Sequence, residues 1–324
     1  MCTCINLKTE DFYFGRNLDL EYRFGEKVVV TPRNYEFSLK NKEKFKTKYA
    51  MIGMATVINN YPLYADACNE KGLSIAGLYF PGNACYGKSQ QGKINITPFE
   101  LIPWCLGNFS SVKELKKVLK NINLINISFA DNIPLADLHW MISDKNDSIV
   151  LEPMENELKI YDNPIGVLTN NPPFSFHLTN INNYINLTTD IANNRFSNKI
   201  SLKTYGQGMG AIGLPGDNSP ASRFVRASFN RLNSVCDSDE GSSVSQFFHI
   251  LDSVAMLKGT IITEEKKYDI TTYSCCINTT KGIYYYKTYN NNQITAIRMT
   301  EKNINSNKLD VYVLVEKQQI NYMN

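Results

Sequence analysis

The 324-residue chain has no C-x-x-C pair, no apolar run approaching ~18 residues, and no stretch where lysine and arginine gather among aromatics. Each absence removes a class. Without C-x-x-C spacing there is no signature of a structural zinc or a redox dithiol. Without a long apolar run no helix can span a bilayer, so no membrane partner is expected. Net charge is only +3, from 34 basic and 31 acidic residues spread along the chain, so nucleic acid is not an expected partner either. The start, Met-Cys-Thr-Cys-Ile-Asn, lacks the basic-then-apolar order of a secretory leader, which predicts a cytoplasmic protein. In that setting eight scattered cysteines do not predict a disulfide framework. Histidine is scarce, and His139, His177 and His249 stand far apart. Neither a metal nor a cofactor is expected.

What is present reads as one globular domain over residues 1–324. Hydrophobic residues make up 43 %, enough to bury a substantial core. Strands are predicted at Cys2–Leu7, Phe12–Asn17, Lys27–Thr31, Ala50–Val57 and Leu73–Phe80. Capping boxes at Thr97–Glu100 and Ser111–Glu114 start helices, the second with Val112, Leu115, Leu119 and Ile122 on one side. Val244, Phe247, Phe248, Leu251 and Val254 follow the spacing of an amphipathic helix. His139–Ser143 and Ser148–Leu151 flank a turn at Asp144–Asp147. Tyr273–Ile277, Ile283–Tyr289 and Gln293–Met299 form a meander. Strands, then helices, then strands predict an α+β protein with antiparallel sheets.

Two segments invite a chemical reading. Gly208-Met209-Gly210-Ala211-Ile212-Gly213 matches the dinucleotide fingerprint, but a polar stretch precedes it and Pro215 and Gly216 follow. It therefore reads as a loop, since the fingerprint needs a strand before and a helix after. Cys2 is the other. Alone it is a small residue opening a strand. If Met1 is removed, it carries a thiol and a free α-amine on one carbon. Such an amine titrates near ~7.7–8.0 and a thiol near ~8.5, so the amine can take the thiol proton at neutral pH without a histidine. That is the nucleophile-plus-amine pairing of N-terminal nucleophile amidases.

The surroundings of Cys2 carry a resemblance. Cys2-Thr3-Cys4-Ile5 is followed by Phe14-Gly15-Arg16-Asn17-Leu18-Asp19, Leu138-His139-Trp140, Leu168-Thr169-Asn170-Asn171-Pro172, Gly213-Leu214-Pro215-Gly216-Asp217, Ser222-Arg223-Phe224 and Gly282-Ile283-Tyr284-Tyr285-Tyr286. In this order they resemble the choloylglycine hydrolase family, which contains bile salt hydrolases and penicillin V acylases, over nearly the whole chain. The resemblance implies a four-layer αββα sandwich of two antiparallel sheets between helical layers. It also implies a homotetramer acting on a small-molecule amide. It carries over Cys2 as nucleophile and Arg16, Asp19, Asn170 and Arg223 as active-site residues. Arg16 would favour the thiolate, Asp19 would orient the α-amine, Asn170 would donate to the oxyanion, and Arg223 would hold Asp19.

Position 79 departs from the bile salt hydrolase pattern. Tyr79 stands where those enzymes typically have asparagine, and tyrosine resembles the penicillin V branch. A backbone N–H there could serve the oxyanion whatever the side chain. Glu100-Leu101-Ile102-Pro103-Trp104 and Gln246-Phe247-Phe248-His249-Ile250-Leu251 resemble bile salt hydrolases instead. The expectation is therefore hydrolysis of glycine- or taurine-conjugated bile salts, with penicillin V as the rival substrate. Leu18, Tyr61, Phe129, Ile133 and Leu135 are expected to line the acyl pocket. A reading of another class, a redox or binding protein using Cys2 and Cys4, predicts no amide turnover.

Overall fold

A computed structural model describes all residues, 1–324. Two antiparallel sheets face each other. The first has six strands in the order Val167–Leu168, Cys2–Lys8, Phe12–Leu20, Ile270–Asn278, Ile283–Thr288 and Asn291–Arg298. The second has eight: Leu158–Asp162, Ser148–Pro153, Leu138–Ser143, Ser74–Tyr79, Tyr61–Asn69, Met51–Ile58, Lys27–Thr31 and Asp310–Val313.

Side chains alternate across a strand, so each strand of a sheet covered on both faces feeds two cores. Lys27–Thr31 shows this directly. Val28 and Val30 join Cys4, Phe14 and Tyr273 between the sheets. Val29 joins Leu101, Leu106, Leu115 and Trp140 on the outer face of the larger sheet, under the helices Leu101–Asn108 and Val112–Leu119. The helices Pro220–Asn233 and Glu240–Asp252 cover the smaller sheet, contributing Phe224, Phe247 and Leu251. The layers run helix, sheet, sheet, helix, as the resemblance implied. No helix is long and apolar enough to cross a membrane.

Close approach of strands depends on small residues at chosen points. A Cβ on Gly15 would lie 2.0 Å from the carbonyl oxygen of Cys275 on the neighbouring strand. Only glycine lets Phe12–Leu20 lie there without displacing backbone.

Some local expectations shift. Ile122 belongs to a short strand, Ile122–Leu124, after the helix rather than to its apolar side. Ser111 Oγ accepts from Glu114 N–H as expected, but Glu114 returns its bond to Ser110. The 208–213 segment is a loop holding one short 3-10 turn, with Gly208 and Gly213 at positive φ. Tyr61–Asn69 went unread as a strand because it is punctuated by Pro62, Asp66 and Asn69. Pro220–Asn233 was also missed, although Ser219 followed by Pro220 is a start signal: Ser219 Oγ accepts from Ser222 N–H.

Candidate active site

Cys2 opens the second strand of the smaller sheet, between Val167–Leu168 and Phe12–Leu20, and its side chain is almost wholly buried. The pairing places Cys2 opposite Leu18 and Cys4 opposite Arg16. Arg16 Nη2 donates to Cys2 Sγ at 2.5 Å. A guanidinium is thus set directly against the sulfur.

Arg16 also shapes the larger sheet. Its Nη1 donates to the carbonyls of Gly77 and Ala65. Pairing of Ser74–Tyr79 with Tyr61–Asn69 stops at Ala76 and Asp66, so the guanidinium stands where ladder bonds would continue. Burial works against the Arg16 charge. Coulombic attraction to its neighbours, among them Cys2 and the Asp66 carboxyl, outweighs it and raises the Arg16 pKa. Asp66 is fully buried and accepts from Tyr273 OH at 2.6 Å and Tyr284 OH at 2.7 Å. Burial lifts its carboxyl above the ordinary range, against the pull of Arg16.

The backbone of Cys2 is held from two sides. Its N–H donates to Asn170 Oδ1 at 2.8 Å, and its carbonyl accepts from Arg223 Nη1 at 2.5 Å. Arg223 Nη1 also donates to Thr3 Oγ1 at 2.7 Å, and Nη2 to Asn170 Oδ1 at 2.7 Å. Two donors fix which end of the Asn170 amide is oxygen. The amide Nδ2 donates one hydrogen to the carbonyl of Tyr79 at 2.7 Å, leaving the second for another acceptor.

Tyr79 ends its strand. Phe80 N–H bonds the Asp137 carbonyl, so Tyr79 and Leu138 form the next, non-bonded pair of that ladder. In such a pair both N–H and C=O of Tyr79 point away from Leu138, to the side where its carbonyl meets Asn170. The Tyr79 N–H thus points to the side of its strand on which Asn170 lies. Two N–H donors on one side of a sulfur held by a guanidinium have the chemistry to receive an oxyanion. The Tyr79 ring is 44 % exposed and takes no part in this.

One expected contact is absent. Arg223 makes no bond to Asp19; it is committed to Cys2, Thr3, Asn170 and the Asn218 carbonyl, and reaches Asp19 only through its field. Asp19 instead accepts from Thr271 Oγ1 at 2.6 Å, and its other oxygen is buried without a partner. Burial raises the Asp19 pKa, opposed by Arg223 and the N-terminal ammonium. That ammonium, on Met1, donates to the Asp19 carbonyl at 2.6 Å and lies 3.4 Å from Asp269. Asp269 and Thr271 were not read from the sequence. Their only signal was a polar residue at the mouth of a strand.

The expected pocket residues divide. Tyr61 and Phe129 meet with ring centroids 5.4 Å apart, and Phe99 packs edge-on against Phe129 at 5.3 Å. Tyr61 lies at the same end of its hairpin as Tyr79. Ile133 and Leu135 are half-buried in the loop that leads to Leu138. Leu18 is set apart from them, buried between the sheets opposite Cys2.

Known proteins resemble this chain in sequence and fold. A family model described as linear amide C-N hydrolases, choloylglycine hydrolase family, matches residues 2–312. The chain is 50% identical over 319 residues to the bile salt hydrolase/transferase of Lactiplantibacillus plantarum, covering 98% of each. A crystal structure of a mutant conjugated bile acid hydrolase from Clostridium perfringens superposes with a TM-score of 0.93 at 44% identity, covering 100% of both chains. A penicillin V acylase from Agrobacterium tumefaciens shares the fold, with a TM-score of 0.74 at 20% identity over 96% of this chain and 90% of that one.

Proposed function

The chain belongs to the choloylglycine hydrolase family of linear amide C-N hydrolases, and from that premise we propose that it cleaves glycine- or taurine-conjugated bile salts with Cys2 as nucleophile. The observation that carries this reading is the Arg16 guanidinium on Cys2 Sγ, beside the paired donors of Asn170 and Tyr79.

Loss of Met1 frees the α-amine of Cys2. The amine takes the thiol proton, and the sulfur adds to the amide carbonyl carbon. The oxygen that becomes negative accepts from the Tyr79 N–H and the second Asn170 hydrogen. The α-ammonium protonates the departing nitrogen, glycine or taurine leaves, and a thioester remains on Cys2. Water then adds as the amine takes its proton, and the bile acid leaves. Asp19, with one buried carboxylate oxygen unpartnered, orients the ammonium. Arg223 fixes the Cys2 carbonyl throughout.

The wild-type kcat/KM for glycocholate or taurocholate is expected to exceed that for penicillin V by about tenfold or more, a difference of ~1.4 kcal/mol in transition-state binding. Tyr79→Asn should alter both rates without reversing their order, since the backbone serves the oxyanion and the ring is partly exposed. Tenfold preference of the wild type for penicillin V would overturn the substrate assignment. The redox reading is not favoured, because the family model of linear amide C-N hydrolases matches residues 2–312 and relatives over nearly the whole chain are named bile salt hydrolases.

We also propose a homotetramer. Residues 185–208 form an arm with no regular structure, and it leaves Ile185, Ile191, Phe196, Leu202 and Tyr205 between 51 % and 89 % exposed. So many apolar side chains on one segment suit burial against another copy. Sedimentation should give about four times the 36.8 kDa chain mass. Arg or Asp in place of Phe196 and Tyr205 should release smaller species.

A further inference from the structure

Asn170 carries much of the proposed chemistry, yet it lies beyond the end of the short strand Val167–Leu168, where no ladder fixes the chain. Buried backbone carbonyls in such a place need donors. Two histidines supply them. His139 Nε2 lies 2.9 Å from the Thr169 carbonyl, and His177 Nε2 lies 2.9 Å from the Asn170 carbonyl. A carbonyl only accepts, so both Nε2 atoms carry hydrogen. Distant in sequence, the two rings end on consecutive peptides.

Each ring is also stacked on the residue next to another part of the site. His139 lies on Phe80, which follows Tyr79, with centroids 4.2 Å apart and planes 5° from parallel. His177 lies on Phe224, which follows Arg223, at 4.7 Å and 20°. Glu152 joins the two systems: its Oε1 lies 3.0 Å from His139 Nδ1 and accepts from the N–H of Phe174, the first residue of the helix Phe174–Asn180 that carries His177. All these groups are fully buried.

We propose that His139 and His177 are positioning residues that fix the Thr169–Asn170 backbone relative to Tyr79 and Arg223, and so aim the Asn170 amide at the oxyanion. The assignment rests on the hydrolase reading above. His177 Nδ1 has no partner, and burial, opposed by the hydrogen bond to the Asn170 carbonyl, pushes its pKa down to about 4. It is therefore neutral at working pH, and its hydrogen stays on the Asn170 side.

His177→Phe keeps a ring on Phe224 and removes the donor. His177→Gln returns an amide N–H to roughly the Nε2 position. The expected result with glycocholate is a kcat ~10–100-fold lower for His177→Phe, as for a misplaced oxyanion donor. KM and the rate of Cys2 alkylation by iodoacetamide should stay within about twofold, and His177→Gln should recover to within about fivefold of wild type. Unchanged turnover in His177→Phe, failure of His177→Gln to recover, or alkylation falling in step with kcat overturns the proposal. Absence of wild-type turnover would instead strike at the substrate reading. Histidine 15N spectra of the wild-type protein test the donors without turnover or variants. His177 should remain the neutral Nε2–H tautomer from pH 5 to 8, and an Nδ1–H tautomer or a titration in that range overturns the assignment.

Discussion

Cys2→Ala should lose at least ~10⁴-fold in bile salt turnover, about 5.5 kcal/mol of transition-state stabilisation, while the protein stays folded. Cys4 is the other thiol near Arg16, but it is fully buried, burial raises its pKa, and it has no α-amine to act as base, so it should not replace Cys2. Cys2→Ser should retain only a trace, since a hydroxyl is far harder to deprotonate than a thiol. The alanine variant should also be modestly less stable. Arg16 Nη2 loses its acceptor in a fully buried place, which costs ~1–3 kcal/mol. The Gly77 and Ala65 carbonyls still hold the other end of the guanidinium. Release of glycine measured beside a thermal melt separates the two effects. Turnover in a folded Cys2→Ala protein within tenfold of wild type would remove Cys2 from the mechanism.

The second large effect concerns the base. With Met1 in place, the Cys2 nitrogen is a peptide N–H that donates to Asn170, and its lone pair is delocalised into the Met1 carbonyl and cannot take a proton. The contact between Arg16 and the sulfur is nevertheless formed, and the Met1 ammonium is seated against Asp19 and Asp269. A protein with lysine inserted between Met1 and Cys2, which resists methionine removal, should fold and still be alkylated at Cys2. Its hydrolysis of glycocholate should fall by ~10²–10⁴-fold, the usual worth of a general base. Mass spectrometry of the active wild type should show Met1 gone. Full activity in the extended protein would place the base on another residue.

How much of this was legible beforehand depended on the kind of relation. Lys27–Thr31 could be read because three consecutive valines announce a strand buried on both faces. Tyr61–Asn69 could not, because its Asp66 is a charge folded inward to face Tyr273 and Tyr284, partners more than two hundred residues away. Cys2, Arg16, Asp19, Asn170 and Arg223 were identified by resemblance, but a resemblance names residues without their bonds. That Arg223 would grip Cys2 and Asn170 rather than Asp19 depends on where the helix Pro220–Asn233 lies over the sheet. His139 and His177 looked unrelated in the sequence, since what joins them is a pair of neighbouring peptides on a third segment.

The long separations around Cys2 also set an order of events during synthesis. Its backbone is held by Asn170 and Arg223, 168 and 221 residues downstream. At ~5–20 residues per second, a ribosome needs on the order of ten seconds or more to deliver them. Throughout that interval the first strand has no finished place in the sheet, and the methionine ahead of it is open to an aminopeptidase. Once the later segments arrive, the Met1 ammonium is half-buried and bonded against Asp19 and Asp269. Protein refolded from an untrimmed full-length form should therefore be a poorer substrate for an aminopeptidase than nascent chains are.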